Sequence, residues 1–138
     1  MKKFFFLFVL YLLLNTNVWC QIKSGIASWY GHPYHGRITA NGEIFDTYNR
    51  LTAAINEKFR KKYLNKMVRI YTKIPKSKEL LSVDVWINDI LPSYHNRLID
   101  LSYLAMNRLS GVSDGIIFVK IKILESVRVP CFPQLNEY

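Results

Sequence analysis

The sequence predicts an all-β domain, a small barrel or sandwich of five or six short strands with one short helix. Three observations carry this. Residues 116–124 alternate Ile117, Val119, Ile121 and Ile123 against Phe118, Lys120 and Lys122, the two-residue period of a strand with one buried face. The period recurs at 67–72, where Val68 and Ile70 alternate with Arg69 and Tyr71, and at 80–87, where Val83, Val85 and Ile87 share a side. Clusters of Gly, Pro, Asn and Lys separate these runs, and one stretch, 103–109, has helical spacing.

In chain order, Ile26 to Tyr30 is a first strand. It enters a loop, 31–46, crowded with Gly, His, Arg, Thr and Asn. Leu51 to Ile55 is a second short apolar strand. Residues 57–66 are basic and irregular, a turn or a single helical turn, and Phe59-Arg60-Lys61-Lys62-Tyr63 within them reads as an exposed, solvated cluster. Strand 67–72 leads through a turn at 74–78 to strand 80–87, which ends on Asn88-Asp89 before Pro92 stops the ladder. Ser102 is placed to N-cap helix 103–109, and Gly111 to end it. Asp100, just before the cap, is free to satisfy loop amides. Residues 130–138 form a tail.

Residues 1–20 stand apart. Lys2 and Lys3 precede Phe4 to Leu14, an unbroken apolar run of 11 residues, with the charge and length of a secretory signal. A membrane-spanning helix needs about 18 or more such residues. Cleavage is expected after Cys20, because Trp19 is unlike the small residue that a lipid-attachment signal places there. The expectation is therefore an exported protein of the periplasm or envelope: a signal peptide, 1–20, and one domain, 21–138. Removing two lysines takes the formal charge from +9 to +7. That balance suits an acidic polymer, and equally a solvated basic face; export makes nucleic acid a poor partner. With Cys20 gone, Cys131 has no mate and no internal disulfide is expected. No zinc spacing, Walker loop or dinucleotide fingerprint is present, so no metal and no organic cofactor is expected.

Polar residues packed into a loop beside a strand are poor core material and good site material. Glu43, Asp46 and Asp89 are the candidate catalytic carboxylates. Breaking a glycosidic bond takes a carboxylic acid to protonate the leaving oxygen and a second group on the other side. Asp89 ends an apolar strand, where burial would raise its pKa and keep it protonated. Glu43, after a glycine, is expected wet and ionised. Turn capping is the competing role for all three. Trp29, Tyr30 and Tyr34 are candidate sugar-stacking rings or core residues, and His35 a donor to a glycan or a turn residue. His32 and His95 have no partners at metal-ligand spacing and read as exposed.

The stretch Gly25-Ile-Ala-Ser-Trp-Tyr-Gly31, then His35-Gly-Arg37, Thr39-Ala-Asn-Gly-Glu43 and Phe45-Asp46, resembles the signature of the rare lipoprotein A family. So do Leu51-Thr-Ala-Ala54, Val68-Arg69, Ile87-Asn-Asp89 and Arg97-Leu-Ile-Asp-Leu-Ser102, in the family's order from about residue 25 to 125. The resemblance implies a six-stranded double-psi β-barrel with one or two short helices, the fold shared with expansins. It implies lytic transglycosylase activity on peptidoglycan glycan strands, with Asp89 as acid and base and Glu43 and Asp46 as further acidic positions. The matching polar positions Trp29, Tyr30, His35, Arg37, Thr39, Asn41 and Asn88 become candidate substrate-binding residues. A monomer is expected, and no second, wall-binding domain within 138 residues.

The chain departs from the family pattern in three places. The family's active-site histidine after Leu-Thr-Ala-Ala is Ile55. Segment 55–68 is longer than usual. Asn-Asp-Arg-Gly-Pro becomes Asn88-Asp89-Ile90-Leu91-Pro92. Three readings stay open: a lytic transglycosylase, a non-catalytic glycan-binding or wall-loosening barrel in the manner of expansins, and a structural envelope protein.

Overall fold

The computed structural model describes residues 22–74 and 78–124. The signal segment, both cysteines, the tail and the middle of the 74–78 turn lie outside them. Six strands close into one barrel: β1 (Lys23–Tyr30), β2 (Thr52–Asn56), β3 (Met67–Lys73), β4 (Leu80–Leu91), β5 (Ile99–Ser102) and β6 (Ile117–Ile123). Their order is β1-β5-β2-β4-β3-β6, with β1 also bonded to β6. Closure leaves no unpaired edge. β1 with β5 and β2 with β4 run parallel; the other pairs are antiparallel. Two short helices complete the fold, α1 (Arg60–Tyr63) and α2 (Tyr103–Leu109).

The alternation read from the sequence is the alternation of the core. Val68 and Ile70, Val83, Val85 and Ile87, and Val119 and Ile121 all point into the barrel and are buried. Ala105, Met106 and Leu109 of α2 and Tyr63 of α1 extend this core. Fully burying a residue such as Ile or Leu contributes roughly 1.5–3 kcal/mol, so these positions hold the barrel shut. Gly25 is needed for close packing: a Cβ there would meet Leu98 Cβ at 2.6 Å.

Two elements differ from the sequence reading. Ile99-Asp100-Leu101-Ser102 is itself a strand, flanked by β1 and β2 and buried along all four residues. A strand covered on both faces shows no alternation to read. β4 runs on to Leu91, so Asn88 and Asp89 lie inside it and not beyond its end. The parallel partner β2 carries it, pairing Ala54, Ile55 and Asn56 with Asp89, Ile90 and Leu91. Pro92 follows the last strand residue. Asp100 does not satisfy loop amides. It takes a two-pronged pair from Arg97 (2.7 and 2.9 Å) and a bond from the Ser28 hydroxyl (2.7 Å).

Ser102 caps α2 as the sequence predicts, its Oγ accepting the Ala105 N–H at 3.3 Å. The same hydroxyl donates to Arg50 O at 2.8 Å and so ties the start of β2 to the end of β5. Ser102→Ala is expected to cost about 1–2 kcal/mol, read as a lower urea midpoint at unchanged slope. An unmoved midpoint would show that the cap is idle.

Candidate active site

The pairing register sets the site. Ser28, Asp100, Ala54 and Asp89 form one row across β1, β5, β2 and β4, and Thr52 and Trp86 stand opposite each other one step away. Between Trp86 and Asp89 β4 holds one residue more than β2, and the register shifts there as a bulge. Residues three apart on a regular strand face opposite ways. The extra residue turns both Trp86 and Asp89 to the outer face.

Loop 31–50 folds against that face. Its own ladder pairs Thr39 N with Glu43 O, Phe45 N with Arg37 O, and Gly36 N with Phe45 O. The turn needs Gly42, at φ +90, where a side chain would be strained. Phe45 is buried and stacks on Tyr30, with centroids 4.2 Å apart. Two bonds pin the loop tip to β4: Asn41 N donates to Asn88 O (3.1 Å) and Ala40 N to Asp89 Oδ1 (3.0 Å). Asp89 Oδ1 also takes the Ile90 N–H at 2.8 Å. Among the described residues nothing bonds to Oδ2. Asp89 is half-buried.

Glu43 is held more firmly than a wet loop acid. Its carboxylate accepts from Trp86 Nε1 (3.0 Å), Asn88 Nδ2 (3.1 Å) and Asn41 Nδ2 (3.0 Å), and Arg50 stands 4.0 Å away. The Asn88 bond is the strongest of the influences that favour the ionised form and lower its pKa, followed by those from Asn41 and Trp86. Asn41 is fixed in turn by Asn65 Oδ1 (3.0 Å). Asn65 sits at φ +59 in the connection from α1 to β3, so the long segment 55–68 reaches the site.

The remaining candidates hold the loop together. Asp46 Oδ1 accepts the Tyr48 and Asn49 amides, both at 3.0 Å, and these bonds lower its pKa. His35 Nδ1 accepts the Thr47 amide. Thr39 is buried, its hydroxyl 2.8 Å from Asn41 Oδ1. Trp29 packs against the core and edge-on to Tyr103, while Tyr34 is exposed with Arg37 over its ring. Burial first, then the charges of Asp89 and Asp100, push the Tyr30 phenol well above its usual range. Ile55 faces inward and is fully buried in the core. His95 is half-buried beside Tyr94, not exposed.

Beside Glu43 opens a cavity of about 460 Å³, walled by Trp86, Leu51 and Leu104 and rimmed by Asn49, Arg50 and Arg108. Thr52 lines it too, 3 % exposed. Its hydroxyl and that of Tyr30 are neighbours, yet neither makes a bond of good geometry. Among the described residues no three His, Cys, Asp or Glu side chains gather as a metal site requires. No described helix is long and apolar enough to cross a membrane.

The structure brings Glu43, Asn41, Asn88 and Asp89, all singled out in the sequence, into one cluster. Sequence reasoning misses Trp86, whose outward place was readable from the inward Val85 and Ile87. It also misses Asn65 and the Arg97–Asp100 pair, for which a single sequence holds no local signal.

Residues 22–121 match the lytic transglycolase family. The chain is 36% identical over 102 residues to the endolytic peptidoglycan transglycosylase RlpA of Vibrio cholerae, covering 74% of this chain and 35% of the relative. It is 39% identical over 104 residues to the RlpA of Pseudomonas aeruginosa strain UCBPP-PA14, covering 75% and 28%. The chain thus spans about a third of the length of these relatives. Among solved structures, the Streptomyces papain inhibitor superposes with a TM-score of 0.58 at 21% identity, over 75% of this chain and 94% of that one. The apo expansin of Clavibacter michiganensis superposes with a TM-score of 0.59 at 18% identity, over 77% and 52%. Both likenesses bear on fold alone, and the fold is the double-psi β-barrel.

Because the folded state lowers the Glu43 pKa, its stabilising effect is full above the unfolded value of about 4.3. That effect is lost as pH falls through the lowered folded value. Glu43→Gln is therefore expected to melt below wild type at pH 7 and to converge with it once pH has fallen through the lowered folded value. Curves that stay parallel down the acid limb would rule out this role.

Proposed function

Since the chain belongs to the lytic transglycolase family, we propose that its barrel cuts peptidoglycan glycan strands without water. The bond is that between N-acetylmuramic acid and N-acetylglucosamine, and the product carries a 1,6-anhydro end. One observation carries the reading: the loop tip is bonded to Asp89 Oδ1, leaving Oδ2 without a partner among the described residues, beside the fixed carboxylate of Glu43.

In this reading Asp89 Oδ2 delivers a proton to the leaving glucosamine oxygen as the bond to muramyl C1 breaks. The muramyl C6 hydroxyl then closes onto C1 and returns its proton to Oδ2, so one carboxyl serves both steps. Glu43, already ionised, opposes the positive charge that develops at C1. Asn41 and Asn88 hold Glu43, and Trp86 offers a ring beside it for a sugar. Asp46, His35 and Thr39 keep the loop in register and act through it.

One observation favours a non-catalytic glycan-binding barrel instead. The residue expected to be imidazole is Ile55, turned into the core, so Asp89 has no histidine from β2 to orient it.

The reading includes export. Residues 1–20 act as a signal removed after Cys20, and the barrel meets its substrate in the envelope as a monomer. The intact mass of secreted protein is expected to begin at Gln21; a lipid-bearing Cys20 would mean an anchored protein instead.

Digestion of purified sacculi followed by mass spectrometry is expected to yield anhydromuropeptides. Asp89→Asn is expected to abolish them with a thermal midpoint close to wild type, because an amide oxygen still accepts the Ala40 and Ile90 N–H groups. Asp89→Ala leaves both donors unpaired and is expected to melt earlier, by about 1–3 kcal/mol of stability. Wild type that sediments with sacculi yet releases no anhydro product decides for the binding reading. Reducing ends in its place mean hydrolysis.

A further inference from the structure

We propose that the cavity beside Glu43 is a subsite for a carboxylate carried by the glycan, and that Arg50 and Arg108 select it. The inference rests on the glycan-cleaving reading above and adds the chemistry of the substituent that the site prefers.

Four observations support it. Arg108 and Leu104 lie four apart on α2 and both line the cavity, as the spacing of a helix face requires. Arg108 pairs with no acid among the described residues. Arg50 stands 4.0 Å from Glu43, too far for a hydrogen bond, so its donors remain for a ligand. Glu43 is the cavity's one acid, and its oxygens are already occupied by Trp86, Asn88 and Asn41. The lining therefore carries two guanidinium charges against one carboxylate that is satisfied from within the protein.

The walls strengthen the case. Trp86, Leu51 and Leu104 line one side of the cavity with apolar surface, and an ion pair formed against it is less screened than one in open water. A guanidinium offers a planar fork that matches a carboxylate in two-pronged fashion. A neutral hexose would leave both forks unanswered. A muramyl residue can bring a carboxylate in two ways, on its own lactyl group or at the end of a stem peptide.

The test uses three muramyl tetrasaccharides: one with free lactyl carboxylates, one with those groups capped as methylamides, and one carrying stem peptides. Binding is followed by calorimetry and cleavage by mass spectrometry, for wild type, Arg108→Ala and Arg108→Lys. Wild type is expected to bind one of the charged glycans about tenfold more tightly than the capped one. Which charged glycan it is identifies the source of the carboxylate. Arg108→Ala is expected to erase that preference and Arg108→Lys to restore part of it, with capped-glycan affinity reporting that each variant is folded. Equal affinity of wild type for all three glycans, or a preference that survives Arg108→Ala, overturns the subsite while cleavage of all three leaves the transglycosylase reading standing. Failure of wild type to bind or cut any of them overturns that reading, and the subsite with it.

Discussion

Between Trp86 and Asp89 the fourth strand carries one residue more than its parallel neighbour, and the geometry of the site follows from that surplus. It turns an indole and a carboxyl to the same side. It frees the Asn88 carbonyl to take the Asn41 amide, and the Asn88 side chain to reach Glu43. The arrangement has an energetic cost. Asn88 Oδ1, Thr52 Oγ1 and the Tyr30 hydroxyl are buried without well-formed partners, each worth roughly 1–3 kcal/mol if left dry. Native folds keep such groups mainly where function or a bound water compensates. These three fall in or beside the site, and Thr47 Oγ1 on the loop and the Tyr63 hydroxyl on α1 are buried in the same state among the described residues.

The two central carboxyls are treated differently by their surroundings. Glu43 is gripped by three side-chain N–H donors, which fix both its position and its charge. Asp89 is tethered by one oxygen to two backbone amides, and the other oxygen has no partner among the described residues. A fixed anion beside a carboxyl with one uncommitted oxygen is the division of labour that glycosidic cleavage calls for. Neither arrangement depends on position 55, because Ile55 faces the barrel interior while Ala54 is the residue opposite Asp89.

Much of this was readable from the sequence, and the limits have physical causes. Strands β3 and β6 announced themselves because one face meets water and the other does not. β5 did not, since both its faces are covered. The loop from Trp29 to Asp46 was legible as a site by its polar composition, and the Ser102 cap by its position. Asp89 was placed at a strand end because Asn-Asp followed by Pro usually marks one; the parallel partner carried the ladder past it. Asp100 was assigned to amides, but Arg97, three residues earlier, claims it. Asn65 and Arg108 reach the site only through tertiary packing, which a single sequence does not reveal.

Barrel closure has a temporal consequence. β1 is bonded to β5 and β6 and to no strand near it in sequence, so residues 27–30 have no strand partner until residues near 100 have been made, and residues 23–26 none until residues near 120. Contacts of such long sequence separation slow folding. A chain threaded N-terminus first through a narrow translocation channel would emerge with its opening strand unpaired, and would stay unfolded until almost the whole domain had crossed. Slow closure would keep any polypeptide of this topology competent for such passage.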